Sequence, residues 1–284
     1  MAQLQLPSSL VDVTWLQQHL DEDNLLLFDA SWHMPATGRD GFAEWRHERI
    51  PGARFFDFDG RICDPQSTLP HMLPDAELFT RELRALGLNQ DSSVVIYDSL
   101  GMISGPRAWW MLRAMGCTRL ALLDGGLPAW KAAGHALESG PDAPAYAPGT
   151  FNARLDDVQV ADAARVHAAL DNAEVCVLDA RPQARFLGQA EEPRAGLRGG
   201  HMPGAVNLPF ADLFAQGLLK PRAEIARIVE PLLGDSSNTI CSCGSGVTAC
   251  ILAFALHYIG NDRVAVYDGS WSEWGKSGEL PVVR

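Results

Sequence analysis

The chain has 284 residues, of which 47% are hydrophobic and 20% are charged, so it can bury a sizeable core and is not disordered throughout. Its length favours two domains or one large α/β domain. The formal net charge of −12 argues against broad binding to nucleic acids or to anionic membranes, because phosphate contacts require a basic surface.

The predicted elements occur twice along the chain in the same order. The first half contains, in order, a strand at 25–30, a Pro-Gly-Ala motif at 51–53, a helix at 75–87, a strand at 93–98, an apolar helix at 105–116 and a strand at 119–124. The second half contains, in the same order, a strand at 175–180, Pro-Gly-Ala at 203–205, a helix at 222–234, a strand at 238–242, an apolar helix at 248–260 and a strand at 263–268. Short apolar strands that alternate with helices predict an α/β fold, with a mainly parallel sheet flanked by helices in each half.

Matching motifs support an internal repeat. The segment DGGLPAW at 124–130 matches DGSWSEW at 268–274, 144 positions later, and the two upstream strands are 150 positions apart. Similar offsets in the same order predict two homologous domains. A stretch rich in Pro, Gly and Ala separates them, and we expect a first domain at 1–140, a linker at 141–155 and a second domain at 156–284.

Six cysteines in so long a chain are too few for a disulfide scaffold. No apolar run reaches the roughly 18–20 residues that a membrane-spanning helix needs, and the first residues lack the pattern of a secretory signal. We therefore expect a cytoplasmic protein with free thiols and no membrane association.

The segment CGSGVT at 243–248 is the strongest local signal of chemistry. It joins a predicted strand to a predicted helix, and its two glycines favour a turn whose backbone N–H groups form an anion-binding nest. A helix N-terminus stabilises a thiolate, which makes Cys243 the candidate nucleophile. In the first half, at an offset of 144, Ser99 occupies the position of Cys243, so that half is predicted to be inactive.

Two further cysteines lie close to Cys243 in the sequence. Cys241 forms a C-x-C pair with it, which suggests either a metal site or a redox dithiol. A metal site needs about four ligands, and no cluster of His and Cys lies nearby, so we predict no metal. A redox role for Cys241 or Cys250 remains open.

The duplicated halves, the DGG and DGSW motifs and the CGSGVT turn resemble the tandem-domain rhodanese superfamily over essentially the whole chain. The resemblance implies two tandem rhodanese-like domains, an inactive first one and a second one with a persulfide-forming cysteine. CGSGVT resembles the turn of the 3-mercaptopyruvate sulfurtransferases, whereas thiosulfate sulfurtransferases carry a cationic turn of the CRKGVT type. It thus implies transfer of sulfur from 3-mercaptopyruvate through Cys243 to thioredoxin, a small thiol or cyanide, with release of pyruvate and without a cofactor.

The family's other functional positions can be matched individually. The stretch at 55–74 resembles the one that carries an Asp and a His near the catalytic thiol, here Asp59 and His71, with Asp57 as a rival for the Asp. Ser245 matches a serine proposed to join these two residues in a proton relay. The backbone of the turn would contribute to substrate binding through Gly244, Gly246, Val247 and Thr248.

The stretch at 184–196 resembles a family pattern whose two arginines bind the substrate carboxylate, here Arg185 and Arg194. The guanidinium fork suits a planar carboxylate because it can bind both oxygens. The alternative is a solvated charged loop, in which Glu191 and Glu192 balance the arginines.

Three other activities compete with this interpretation. Thiosulfate:cyanide sulfurtransfer is disfavoured because positions 244–246 contain no Arg or Lys to pair with thiosulfate. A phosphatase or arsenate reductase would need Arg six positions after Cys243, where Ala249 stands. A persulfide carrier without turnover remains the non-enzymatic alternative.

Overall fold

The computed structural model describes residues 4–141, 146–276 and 278–284. The chain divides into two compact units, Met1–Pro65 with Leu73–Leu155 and Gln66–Met72 with Asp156–Arg284. A short segment from the middle of the first half, Gln66–Met72, therefore belongs to the second unit. Of the predicted linker, residues 142–145 lie outside the described residues, and the part that follows packs on the first unit, where Arg84 Nε donates to the carbonyl of the buried Phe151 over 2.7 Å.

The first unit is a five-stranded parallel sheet with helices around it. Its elements are β1 (Leu10–Val11), α1 (Val13–His19), β2 (Leu25–Asp29), a 3-10 turn (Pro35–Thr37), α2 (Gly41–His47), β3 (Arg54–Phe55), α3 (Ala76–Ala85), β4 (Ser93–Tyr97), α4 (Gly105–Ala114), β5 (Leu120–Leu123) and α5 (Gly126–Ala132). The strand order is β1-β5-β4-β2-β3, and every neighbouring pair is parallel.

The second unit repeats this arrangement. Its elements are a 3-10 turn (Asp157–Gln159), β6 (Val160–Ala161), α6 (Ala163–Ala169), β7 (Val175–Asp179), α7 (Gln183–Phe186), β8 (Val206–Asn207), a 3-10 turn (Phe210–Leu213), β9 (Phe214–Ala215), β10 (Leu218–Leu219), α8 (Arg222–Leu233), β11 (Asn238–Ser242), α9 (Ala249–Tyr258), β12 (Val264–Tyr267) and α10 (Ser270–Trp274). The five-stranded sheet has the order β6-β12-β11-β7-β8 and is also parallel, while β9 and β10 form a small antiparallel pair. The predicted fold class, two α/β units with parallel sheets flanked by helices, is confirmed.

The apolar runs of the sequence become the central strands and the helices that cover them. Val94, Val95 and Ile96 in β4 are fully buried, and nearly all residues of α4 and α9 are buried as well. A parallel sheet is stable only when both of its faces are covered, which explains why these helices are apolar on most sides. Within the described ranges, no helix is long and apolar enough to cross a membrane.

Strand register shows which residues of the two units correspond. Asp29 pairs with Tyr97 in the first sheet, and Asp179 pairs with Ser242 in the second, so the residue after β4, Asp98, corresponds to Cys243. Matching hydrogen bonds agree, since the Asp98 carbonyl accepts from the residue at position 127 and the Cys243 carbonyl from position 271, each over 3.0 Å.

The prediction that Ser99 occupies the position of the cysteine is therefore wrong by one residue. The turn of the first unit, from Asp98 to Ser104, has one residue more than the turn from Cys243 to Thr248. A constant offset of 144 taken from the DGG motif downstream ignores this extra residue and so shifts the alignment at the start of the turn.

The two units differ in the hydrogen-bond partners of the carboxylate that ends their second strand, β2 or β7. Asp179 in β7 accepts hydrogen bonds from the guanidinium of Arg181, whereas Asp29 in β2 accepts from the hydroxyl and backbone N–H of Ser31. Burial, aided by the nearby charge of Asp98, outweighs these hydrogen bonds and raises the pKa of Asp29 from 3.8 to about 7. Asp29 therefore keeps its proton in the folded chain up to nearly neutral pH.

This raised pKa predicts a pH-dependent stability. The unfolded chain releases the proton near pH 3.8, so the stabilisation from protonated Asp29 is complete below that pH and is lost as the pH rises through about 7. Between about pH 5.5 and about pH 8.5 the free energy of unfolding should fall by about 2 kcal/mol from this group alone. The variant Asp29→Asn should remove that part of the decrease in urea unfolding at the two pH values. An exposed substitution, Asp21→Asn, serves as the control, and an unchanged pH dependence in Asp29→Asn would contradict the assignment.

Candidate active site

The turn from Cys243 to Thr248 joins the end of β11 to the start of α9. Cys243, Ser245 and Val247 are almost fully buried, with 2%, 6% and 3% of their surface exposed. Gly246 has a φ of +76°, in the left-handed region that favours glycine, and it turns the chain toward the helix. The six residues predicted from CGSGVT thus form one compact turn at the carboxyl end of the central strand.

A second turn, between β12 and α10, fixes the first. Trp271 N donates to the Cys243 carbonyl over 3.0 Å, and Ser272 donates to the Gly244 carbonyl from its backbone N–H over 2.8 Å and from its hydroxyl over 2.7 Å. Ser270 Oγ accepts from the Cys243 N–H over 3.1 Å. The backbone of the first two residues of the cysteine turn is therefore held from outside.

The first unit shows what this kind of turn binds. The carboxylate of Asp98 accepts backbone N–H bonds over 2.7 to 3.3 Å from four residues of its own turn and the start of α4, namely Leu100, Met102, Ser104 and Gly105. The turn is thus an anion-binding nest that its own aspartate occupies. Cys243 stands at the backbone position of this aspartate in the second unit.

The two predicted arginines, Arg185 and Arg194, lie beside the turn. A Cβ placed on Gly244 would be 3.2 Å from Arg185 Nη2 and 4.0 Å from Arg194 Nη1. Glycine at this position therefore leaves the approach between the guanidinium groups and the turn open.

Two further arginines of the same stretch, Arg181 and Arg198, have structural partners. Arg198 donates to the carbonyls of Trp274, Gly275 and Leu280. Arg181 is buried and pairs with the carboxylates of Asp179 over 2.6 Å and Glu192 over 2.9 Å. Burial opposes the charge of Arg181, but the two carboxylates outweigh it and raise its pKa.

Glu192 has a buried side chain, which the sequence did not predict. Only 1% of its side chain is exposed, and its carboxylate bridges Arg181 and Arg185. Arg181 also stacks on the Trp271 ring, with the guanidinium carbon 4.0 Å from the ring centroid. Arg185 is thus held by a buried carboxylate. The alternative of a solvated charged loop predicted that its carboxylate partners would be exposed. The Glu-Pro-Arg sequence at 192–194, part of the matched family pattern, was the signal that could have pointed to Glu192.

His71 belongs to the second unit through the segment Gln66–Met72. It is 4% exposed, has a φ of +61°, and its Nε2 lies 3.5 Å from Arg194 Nη2. Because arginine can only donate, Nε2 is the acceptor nitrogen in this contact. The second unit therefore brings His71, Arg194 and the cysteine turn to one place.

The predicted carboxylate and its rival lie in the first unit. Asp59 is exposed and accepts from Trp32 Nε1 over 2.8 Å. Asp57 is held within its own turn, where its carboxylate accepts from the Gly60 N–H over 2.8 Å. Both carboxylates thus have hydrogen-bond partners within the first unit, and these contacts do not separate Asp59 from Asp57.

Burial makes several other thiols of the chain less acidic. Burial raises the pKa of Cys117 and Cys176 to about 11, and burial together with the neighbouring cysteines raises the pKa of Cys241 well above its ordinary value. Cys241 is therefore a protonated thiol at neutral pH. In the part of the chain that is described, no three His, Cys, Asp or Glu side chains are grouped to bind a metal ion.

Comparison with known proteins places this architecture in a defined class. The family model described as "Rhodanese-like domain" matches twice, at residues 12–133 and 162–277. The two matches cover most of the strands and helices of the two units. The chain belongs to the rhodanese family.

Relatives of similar length are named 3-mercaptopyruvate sulfurtransferase. The Escherichia coli K12 protein is 40% identical, with 96% of each chain covered, and the Homo sapiens protein is 41% identical, with 96% of this chain and 94% of that protein covered. An Arabidopsis thaliana mitochondrial relative named thiosulfate/3-mercaptopyruvate sulfurtransferase 1 is 39% identical, over 96% of this chain and 77% of that protein. The crystal structure of SseA from Escherichia coli, a 3-mercaptopyruvate sulfotransferase, superposes with a TM-score of 0.83 at 39% identity and covers 94% of this chain and all of that one.

The two arginines beside the turn generate a prediction about substrate binding. Replacing Arg185 or Arg194 by Ala should lower kcat/KM for an α-keto acid substrate by about 10- to 100-fold, because a charge-assisted hydrogen bond contributes about 1.5–3 kcal/mol. The effect should appear mainly in KM, measured by initial rates of product release. The exposed Arg227→Ala in α8 is the matched control. Unchanged kinetics in both Arg185→Ala and Arg194→Ala would refute the carboxylate-binding assignment.

Proposed function

We propose that this protein is a 3-mercaptopyruvate sulfurtransferase, in which Cys243 takes the sulfur of 3-mercaptopyruvate as a persulfide and releases pyruvate. The observation that carries the proposal is the replacement of Asp98 by Cys243 at the base of an anion-binding turn, with Arg185 and Arg194 next to that turn. The names of relatives at about 40% identity over nearly the full length support the same substrate.

The reaction is a displacement at sulfur. The Cys243 thiolate attacks the substrate sulfur, the carbon–sulfur bond breaks, and its electron pair remains on the carbon as the enolate of pyruvate. That carbon gains the proton which the substrate thiol loses, so the products are pyruvate and the persulfide anion of Cys243. The reaction as a whole neither consumes nor releases a proton, and no oxidant or cofactor is required.

Each neighbouring group has a proposed role in this reaction. Arg185 and Arg194 bind the substrate carboxylate, and the backbone of Gly244, Gly246, Val247 and Thr248 faces the reacting sulfur. Ser245 and His71 carry the proton, and Asp59 supports His71 as the family pattern suggests. The contact of 3.5 Å between His71 Nε2 and Arg194 supports a histidine close to the bound carboxylate.

The first unit is proposed to contribute no catalysis of its own. Its nest is filled by the Asp98 carboxylate, so a substrate anion or a persulfide would have to displace a charged group that accepts four N–H bonds. The unit retains the fold of the second one, but an aspartate is not a sulfur nucleophile.

The second half of the cycle needs an acceptor for the outer sulfur. A negatively charged persulfide fits the amide nest, and its outer sulfur is open to attack by a thiolate, such as that of thioredoxin or a small thiol, or by cyanide. None of the six cysteines, all of which lie in the described ranges, forms a disulfide, which suits a reducing compartment such as the cytoplasm.

Thiosulfate as sulfur donor is the second candidate. The Arabidopsis relative carries both substrates in its name, which supports a weaker activity of this kind. The turn contains no cation at 244–246, so the two negative charges of thiosulfate have only the backbone there to bind. We therefore expect 3-mercaptopyruvate to be the preferred donor.

Intact-mass measurement tests the proposal directly. Incubation with 3-mercaptopyruvate should add the mass of one sulfur atom to the chain, and Cys243→Ser should abolish both this gain and the release of pyruvate. Cys117→Ser, which removes a buried thiol of the first unit, should retain both. If the parent chain gains no sulfur, the proposal fails.

A rate comparison separates the alternatives. Pyruvate release from 3-mercaptopyruvate with a small thiol should be faster than thiocyanate formation from thiosulfate and cyanide. The reverse order would favour the thiosulfate activity. Loading of one sulfur without turnover by small acceptors would instead identify a persulfide carrier.

A further inference from the structure

The turn before α10 differs from its counterpart in the first unit at two positions. Where the second unit has Ser270 and Ser272, the first unit has Gly126 and Pro128. The backbone hydrogen bond that this turn makes is the same in both units. Trp271 N donates to the Cys243 carbonyl, and Leu127 N donates to the Asp98 carbonyl. The two hydroxyl groups thus occur only in the unit that carries the cysteine.

Ser270 forms a hydrogen bond with Cys243 itself. It is fully buried, its Oγ accepts from the Cys243 N–H over 3.1 Å, and its hydroxyl donates to the Tyr267 carbonyl over 2.7 Å. The hydroxyl therefore connects the end of β12 to the first peptide of the cysteine turn, and it fixes the orientation of that peptide.

This serine adopts a backbone conformation that normally belongs to glycine. Its φ is +48°, and the corresponding Gly126 has a φ of +51°. A residue with a Cβ is disfavoured in this region, so serine here is less stable in its backbone than glycine would be. Strained residues of this kind concentrate at functional sites, where the surrounding structure holds them.

The first unit shows that the turn does not need a side chain at this position. A Cβ on Gly126 would collide with the carbonyl oxygen of Asp98, so the first unit both lacks the hydroxyl and has no room for it. The space for Ser270 next to Cys243 is therefore a property of the unit with the thiol, and it is not a requirement of the fold.

We propose that Ser270 is a positioning residue, which acts through the Cys243 N–H to hold the thiol sulfur at the base of the amide nest, in line with the substrate sulfur. The inference rests on the proposed sulfur transfer. Displacement at sulfur requires the nucleophile, the attacked sulfur and the leaving carbon to be aligned, so a small rotation of the Cys243 peptide misplaces the attacking atom.

Two substitutions separate positioning from a purely structural role. Ser270→Gly removes both the hydroxyl and the backbone strain, whereas Ser270→Ala removes the hydroxyl and retains the strain. Ser93→Ala in β4 is the control, because it removes another fully buried hydroxyl, which donates to the Leu4 carbonyl over 2.9 Å. Pyruvate release and thermal melting are measured for all three variants and the parent chain.

We expect both Ser270 variants to lower kcat by on the order of 10- to 100-fold, with KM changed less than about twofold, since the carboxylate-binding arginines are intact. Ser270→Ala should melt at a lower temperature than Ser270→Gly, although the two are slowed alike, and Ser93→Ala should keep the parent kcat. The inference is overturned if Ser270→Gly has the parent kcat, or if the loss of kcat follows the melting temperature.

The failure of the proposed function is distinguishable from the failure of this inference. If the parent chain releases no pyruvate, the proposed function is wrong, and the rate at which iodoacetamide alkylates Cys243, measured on the isolated peptide by mass, then decides the role of Ser270. A lower alkylation rate in both Ser270 variants would support positioning of the thiol, and an unchanged rate would overturn it.

Discussion

The structure depends on one kind of interaction, the binding of a negative charge by the backbone N–H groups of the turn that follows the central strand. In the first unit this charge is the carboxylate of Asp98, which accepts four N–H bonds within its own turn. In the second unit Cys243 stands at the corresponding position, directly after β11. One architecture thus gives a turn that binds its own carboxylate in one unit and a turn that begins with a cysteine in the other.

The arginine beside the thiol requires its own support, because the protein as a whole is acidic. A series of ion pairs joins Asp179, Arg181, Glu192 and Arg185 from the end of β7 to the edge of the cysteine turn, and only the last of these side chains is partly exposed. A buried charge is costly unless it is paired and hydrogen-bonded, and each internal member of the series has two partners. The first unit has Ser31 in place of Arg181, and Asp29 there stays protonated up to about pH 7. The corresponding carboxylate thus accepts from an arginine in the second unit and from a serine in the first.

The sequence predicted the fold correctly, for physical reasons that can be stated, and it singled out the turn around Cys243 as the candidate site. Buried parallel strands and the helices that cover them must be continuously apolar, so their order and type are visible in the chain. The turn around Cys243 was visible because its glycines and its place before a helix are local features. The alignment of Ser99 with the cysteine was wrong, since one extra residue within a turn leaves no trace in the motifs on either side of it.

The sequence by itself determined the two repeated α/β units and marked Cys243 as the candidate nucleophile, because both follow from local composition and from motifs along the chain. Only the tertiary structure decided that Asp98 is the counterpart of Cys243, that Glu192 anchors Arg185, and that Ser270 bonds to the cysteine peptide. These three facts depend on strand register and on contacts between residues far apart in the chain. The physical reason is that pairing across a sheet and burial of charge are properties of the folded whole, and no short stretch of sequence specifies them.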